Sequence, residues 1–298
     1  MLSRAAFDRA VAYIRRAGRS LDGELLTHML EGGNAPAVLA ALAAFHNADG
    51  GFGRAFEPDI RSPASSAIAT SIGFQMLRRV EAGPEEPMVR RGLAWLAERG
   101  RDGVWPIIDQ SVDQAPHAFW WNWSEDLAEA WNGFRFNPTA ELLGYLYDYR
   151  SLVPAALTAR VENCLLDHLD PMPVLTAYDL KAAARLAETR DLPELLKGRL
   201  AAVLRASAAA LDPDDPHASP LELVPRPDSL LHDVLADRLE PAFEALIGQQ
   251  QPDGSWAPFW EWRSVSETAW AEAERDWRSI LTRQALGLLH AHGKIAAT

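Results

Sequence analysis

The sequence predicts an all-α protein built as a ring of about six helical hairpins, with outer and inner helices alternating. Three observations lead there. Across the 298 residues no segment alternates convincingly with strand period, whereas helical spacing recurs. A turn motif is repeated at helix ends, as Asp49-Gly50-Gly51-Phe52, Asp102-Gly103-Val104-Trp105 and Asp253-Gly254-Ser255-Trp256. The connections also fall into two sets. Inner-to-outer links are short (81–87, 150–153, 190–192, 239–240), and outer-to-inner links are often long (47–64, 100–137, 211–226, 251–276). In a ring of hairpins the two sets occupy opposite faces, so the long loops gather around one mouth. Long ordered loops on a rigid scaffold are where function concentrates.

The elements follow in order. Residues 3–17 carry an amphipathic pattern, and 21–30 give a second helix. Residues 35–46 form a third, with Pro36 in its first turn, where a missing N–H is tolerated. Asp49-Gly50-Gly51 ends this segment, because glycine accepts turn dihedrals that other residues resist. Ser65 or Ser66 can cap the next helix, 67–80. That helix has almost no charge before Arg78 and is expected to be buried on most sides. Residues 88–99 keep Leu93, Leu96 and Ala97 on one face and charges elsewhere, the pattern of an outer helix. The other outer segments are 154–168, 193–210 and 240–250; the inner ones are 138–150, 174–189, 227–238 and 277–291. A single domain spanning 1–298 is expected.

Composition narrows the function. Net charge is −12 and no basic stripe is visible, so no nucleic-acid partner is expected. Cys164 is the only cysteine, which excludes a disulfide framework and a multi-cysteine zinc site. There is no apolar core near the N-terminus and no run of about 18 apolar residues, so a cytoplasmic protein without a membrane span is expected. No phosphate loop or nucleophile elbow is present, and no metal or cofactor is expected.

The turn motif, a Gln followed by Asp-Gly-x-Trp at the end of an outer helix, resembles the repeat of squalene–hopene cyclases, related terpene cyclases and protein prenyltransferase β subunits. Gln250 with Trp256 is the best copy; His46 with Phe52 and Glu98 or Arg99 with Trp105 are variants. The resemblance implies an α/α toroid of two concentric layers and an apolar or isoprenoid-like ligand in a central cavity. A cyclase, isomerase or transferase working through a carboxylate is the activity it implies. Asp212-Pro213-Asp214-Asp215 spells the acidic signature of proton-initiated cyclases. Its prolines and its position after an outer helix make it read as a solvated turn.

The candidate site lies in the long loops. Trp121-Asn122-Trp123 matches Trp260-Glu261-Trp262, and a further Trp follows eight residues after each pair, at 131 and 270. Glu57 and Asp59 sit beside Phe56, and Glu267 precedes Trp270. Carboxylates against aromatic walls become general acids, because desolvation disfavours the charged form. The expected working acids are Glu57, Asp59 and Glu267. The expected ligand-binding residues are Phe56, Trp105, Trp121, Trp123, Glu125, Trp256, Trp260, Trp262 and Trp270. Two other functions fit the same residues: a six-hairpin carbohydrate-active enzyme with tryptophan platforms, and a scaffold or ligand carrier whose rings seal the axis.

Overall fold

Several helices begin where the sequence offers a cap or a first-turn proline. Ser3, Ser66, Thr176 and Ser266 accept from the backbone N–H three residues on, and Pro36 and Pro87 occupy first turns. The computed structural model describes residues 1–100, 102–126, 133–170 and 172–297. Among these are twelve α-helices and no strand. They are α1 (Arg4–Ala17), α2 (Ser20–Glu31), α3 (Ala35–Leu42), α4 (Ala67–Arg79), α5 (Pro87–Arg99) and α6 (Phe136–Asp148), then α7 (Ala155–Leu169), α8 (Ala177–Ala187), α9 (Glu194–Ala209), α10 (Pro220–Leu223), α11 (His232–Gly248) and α12 (Glu267–Ala291).

Of the segments expected inside, 67–80 and 138–150 are well buried, whereas the helix that overlaps 227–238 buries only Leu235, Leu239 and Phe243. α4 and α6 bury most of their length, and Gly144 lets α6 come close to α8. α5 buries Met88, Val89, Leu93, Trp95 and Leu96 and leaves Arg90 and Arg91 outside. α12 packs on both α1 and α2, and Leu2 exchanges backbone hydrogen bonds with Lys294 and Ala296. The two ends of the chain therefore meet. Among the described residues no helix is long and apolar enough to cross a membrane.

Two boundaries differ from the expectation. The segments 227–238 and 240–250 are not separate helices, and the link 239–240 does not exist. α11 runs through Pro241, because the buried stripe Leu235, Leu239 and Phe243 continues across it and tertiary packing outweighs one lost hydrogen bond. The short α10, inside the supposed 211–226 loop, packs on α8 and α11 instead. At the end of the chain, α12 starts at 267 rather than 277. Ser266 caps it, and Ala269, Trp270 and Ala273 extend the apolar face by nearly three turns.

The repeated turn has one geometry in two places. Asp49 Oδ1 accepts from Gly51 N at 3.0 Å, and Asp253 Oδ1 from Ser255 N at 2.9 Å. Phe52 N donates to Thr70 Oγ1 on α4 at 3.1 Å, and Trp256 N to Thr282 Oγ1 on α12 at 3.0 Å. His46 Nε2 meets Gly50 O at 3.1 Å, as Gln250 Nε2 meets Gly254 O at the same distance. The helix-end carbonyl is taken by the indole rather than the amide: Trp256 Nε1 donates to Leu246 O, as Trp105 Nε1 donates to Leu96 O. Gly254 has φ +94°, and a Cβ there would lie 2.5 Å from the Arg9 carbonyl on α1. Gly254→Ala is therefore expected to destabilise the protein by roughly 2–4 kcal/mol, as read by urea unfolding.

Candidate functional site

Residues 46–66 carry the chain from the end of α3 to α4. Arg54 and Ala55 both have φ +58°, a strained conformation for residues with a Cβ. The reversal they make turns Phe56 back onto Phe45, with ring centroids 4.4 Å apart and nearly parallel. Phe56 is thus buried in the core, and Glu57-Pro58-Asp59 follows into the protein rather than into solvent.

Asp59 is the centre of the cluster. It is 3% exposed, and three tryptophans donate to its carboxylate. Trp262 Nε1 reaches Oδ1 at 2.7 Å, Trp277 Nε1 reaches Oδ1 at 2.9 Å, and Trp260 Nε1 reaches Oδ2 at 3.0 Å. Its backbone carbonyl accepts from Ala118 N at 2.9 Å, which ties in the loop before α6. Arg61, two residues on, is held by Asp276 and Glu272 on α12. Three of the long connections meet here. Ile60 packs with Ile107, Ile108 and Val112, and Trp262 packs with Ala118, Trp270 and Ala273.

Glu57 lies beside this anion and is almost as buried, at 8% exposed. Burial first, and the neighbouring Asp59 charge second, push its carboxyl up to about 8. The Asp59 N–H, the Arg19 charge and the Trp121 indole pull the other way and do not cancel the rise. The Trp121 N–H makes no hydrogen bond of normal length among the described residues. Burial raises Asp59 too, but three indole donors favour its ionised form. Of the pair, Glu57 is the member that holds the proton.

From Asp59 a run of rings leads outward. Trp277 meets Trp260 edge-on at 5.1 Å, Trp260 meets Phe259 at 4.9 Å, and Phe259 meets His217 at 5.1 Å. His217 Nδ1 pairs with Tyr178 Oη at 2.8 Å. Tyr178, on the first turn of α8, is 51% exposed. Its hydroxyl is nevertheless pushed up to about 12, by burial and then by Glu222, Glu57, Asp215 and Asp59.

The structure separates the expected site residues into groups. Glu57, Asp59, Trp260 and Trp262 come together, with Phe56 as their buried support. Trp121 is half-buried against the Trp262 group, and Trp123 is half-buried with Ile60. Trp270 is buried edge-on to Trp262, and its indole N–H has no partner among the described residues. Trp105 and Trp256 are corrected from ligand contacts to packing residues: each is at most 3% exposed and caps a helix end. Glu125 is exposed, as is Glu267 in the first turn of α12, and among the described residues neither hydrogen-bonds the cluster. Trp131 lies outside the described residues. The Asp212–Asp215 string is an exposed turn bonded to itself, though Asp215 Oδ1 also accepts from His217 N and so steadies the Tyr178 partner.

Trp277 is the member that the sequence reading assigned to a helix rather than to the mouth. Its signal was its spacing of seven from Trp270, which puts both on one side of a helix. No protein-family model matches the chain, and neither curated proteins nor solved structures return a match.

Proposed function

We propose that the helices close into an α/α toroid of about six hairpins, whose aromatic mouth binds an apolar or isoprenoid-like small molecule and uses Glu57 as a proton donor. The observation that carries this reading is the buried Glu57 carboxyl beside a carboxylate that accepts from three indole N–H groups, a setting that pushes Glu57 up to about 8. A neutral acid in an apolar wall can protonate an alkene or an oxygen of the ligand. The ionised Asp59 then faces the positive charge that protonation creates, and the tryptophan rings add cation–π stabilisation. The reaction class is acid-initiated cyclisation or isomerisation. The meeting of α12 with α1 and α2 and the repeated turn support the closed ring.

A glycosidase reading fits less well. It needs a second carboxylate free to attack or to activate water, and both oxygens of Asp59 are taken by indoles within 3.0 Å. The carrier reading draws on Trp262, which is 1% exposed and packed edge-on against Trp270.

A thermal-shift screen separates the three. Free terpenoids are expected to raise the melting temperature of the wild type, by mass action, while oligosaccharides do not. Glu57→Gln should keep the shift and lose turnover of any terpenoid that is converted. A shift with oligosaccharides alone would favour the glycosidase, and binding without turnover would favour the carrier.

Glu57 also predicts a pH dependence of stability. Its folded pKa lies above the usual 4.5, so its contribution is fully present below pH 4.5 and is lost as pH rises through about 8. Across that window one proton lowers stability by up to about 1.4 kcal/mol per pH unit. Glu57→Gln is expected to remove this slope in urea titrations, and to make the protein more stable than the wild type above pH 8.

A further inference from the structure

Glu57 has no strong donor in its present position. Among the described residues the one hydrogen bond its side chain accepts comes from Asp59 N at 3.4 Å, longer than a usual N–H···O bond, and the Trp121 N–H stays beyond normal reach. A protonated carboxyl tolerates this. A carboxylate does not, because a buried charge without partners is strongly unfavourable. An acid that gives up its proton here therefore needs a donor for the anion it leaves, and the fold packs one against Phe56.

That donor is Arg19, the residue just before α2. Its backbone N donates to Ser279 Oγ on α12 at 2.9 Å, and its Nε to Asp22 Oδ2 at 2.7 Å. The guanidinium lies 5.5 Å from the Phe45 ring centroid and 5.9 Å from that of Phe56, the two stacked rings from which the chain runs directly into Glu57. The Arg19 side chain is 11% exposed. Its Nη1 is buried and has no acceptor among the described residues, and buried donors left in that state are rare. The count of charges points the same way. Arg19 and Arg283 share the single carboxylate of Asp22, each at 2.7 Å, which leaves one positive charge in excess. The groups whose charge bears on Glu57 are Asp59 on its own loop, Arg19 before α2 and Tyr178 on α8, and Arg19 is the cation that acts on it most strongly.

Resting on the acid reading above, we propose that Arg19 is the positioning residue of this acid: its free Nη1–H donates to the Glu57 carboxylate that remains once the proton has passed to the ligand. In that step the Glu57 O–H bond breaks, the proton bonds to an alkene carbon or an oxygen of the ligand, and the electron pair stays on the carboxylate. Loss of a proton from the product cation restores the acid. The new ion pair is a charge-assisted hydrogen bond in the interior, so it is stronger than a surface pair. Asp22 fixes the guanidinium through Nε and leaves Nη1 for Glu57, while the faces of Phe45 and Phe56 support it by cation–π attraction. Arg19 thus eases ionisation of Glu57 without touching the ligand.

The test is infrared difference titration of Glu57, with Glu57→Gln to identify its carbonyl band. Arg19→Gln is expected to raise the Glu57 midpoint by about one pH unit or more, because the ionised form loses its cation. Arg19→Lys should bring part of that shift back. Arg283→Gln disturbs the same ion cluster from the other oxygen of Asp22, so it controls for structural damage and should move the midpoint less than Arg19→Gln does. A second measurement uses the intact cluster: in wild-type protein carrying isotope-labelled arginine, the Arg19 guanidinium resonance should shift with the same midpoint as the Glu57 carbonyl band. In Glu57→Gln it should stay still. The acid reading and this inference fail separately. A wild-type Glu57 that titrates near the ordinary 4.5 sinks the first, and Arg19→Gln still raises that midpoint if the second holds. An unmoved midpoint in Arg19→Gln, an equal shift in Arg283→Gln, or an Arg19 resonance that ignores the titration would overturn the inference.

Discussion

Replacing Asp59 with alanine is expected to destabilise the protein by about 3–5 kcal/mol and to shift tryptophan emission to the red. Among the described residues the carboxylate is the only acceptor for the indole N–H groups of Trp260, Trp262 and Trp277. Each buried donor left without a partner costs about 1–3 kcal/mol, and water entering the space recovers part of that. Asparagine keeps one carbonyl oxygen, which can serve Trp262 and Trp277 as Oδ1 does now, so Asp59→Asn should cost about half as much. Both variants should also lower the Glu57 pKa, because the neighbouring negative charge is gone. Urea unfolding followed by fluorescence measures the first effect. An Asp59→Ala protein as stable as the wild type would show that the indoles find other acceptors.

Asp22→Asn is the second large effect. Asp22, on α2's first turn, is fully buried; it joins Arg19, just before that helix, to Arg283 on α12, and Ser279 Oγ donates to it at 2.9 Å. Removing its charge leaves two guanidinium groups facing each other in the interior, with an expected loss of about 3–5 kcal/mol. Burial opposes its charge, but Arg19 and Arg283 outweigh burial and hold it down at about 2, below the usual 3.8. Its contribution is therefore present above pH 3.8 and is lost as pH falls through about 2. The variant should lose stability at pH 7 and show a shallower acid transition than the wild type. Unchanged stability at pH 7 would mean that the two arginines relax into solvent.

The sequence displayed those parts of this arrangement that depend on local chemistry. Caps at Ser66 and Ser266, the Asp-Gly turns, and the aromatic–acid string Phe56-Glu57-Pro58-Asp59 are written in consecutive residues. The turn copies at 49–52 and 253–256 keep the same hydrogen bonds, which is why their spacing was readable. The rest depends on contacts between distant residues. Asp59 and Trp277 are 218 positions apart, and Asp22 and Arg283 are 261 apart. Nothing in either neighbourhood advertises the partner. Pro241 misled because a helix breaker is overruled when the apolar stripe on both sides of it is buried. Trp105 and Trp256 were misplaced because an indole that caps a helix and one that lines a site look alike in one dimension.

The central claim is that Glu57 holds its proton near neutral pH, and infrared difference titration of the wild type against Glu57→Gln tests it most directly. The expected result is a carbonyl stretch of a protonated carboxylic acid at pH 7, fading with a midpoint of about 8 and missing from the variant. A Glu57 carboxyl that titrates near 4.5, already ionised at pH 7, would contradict the account.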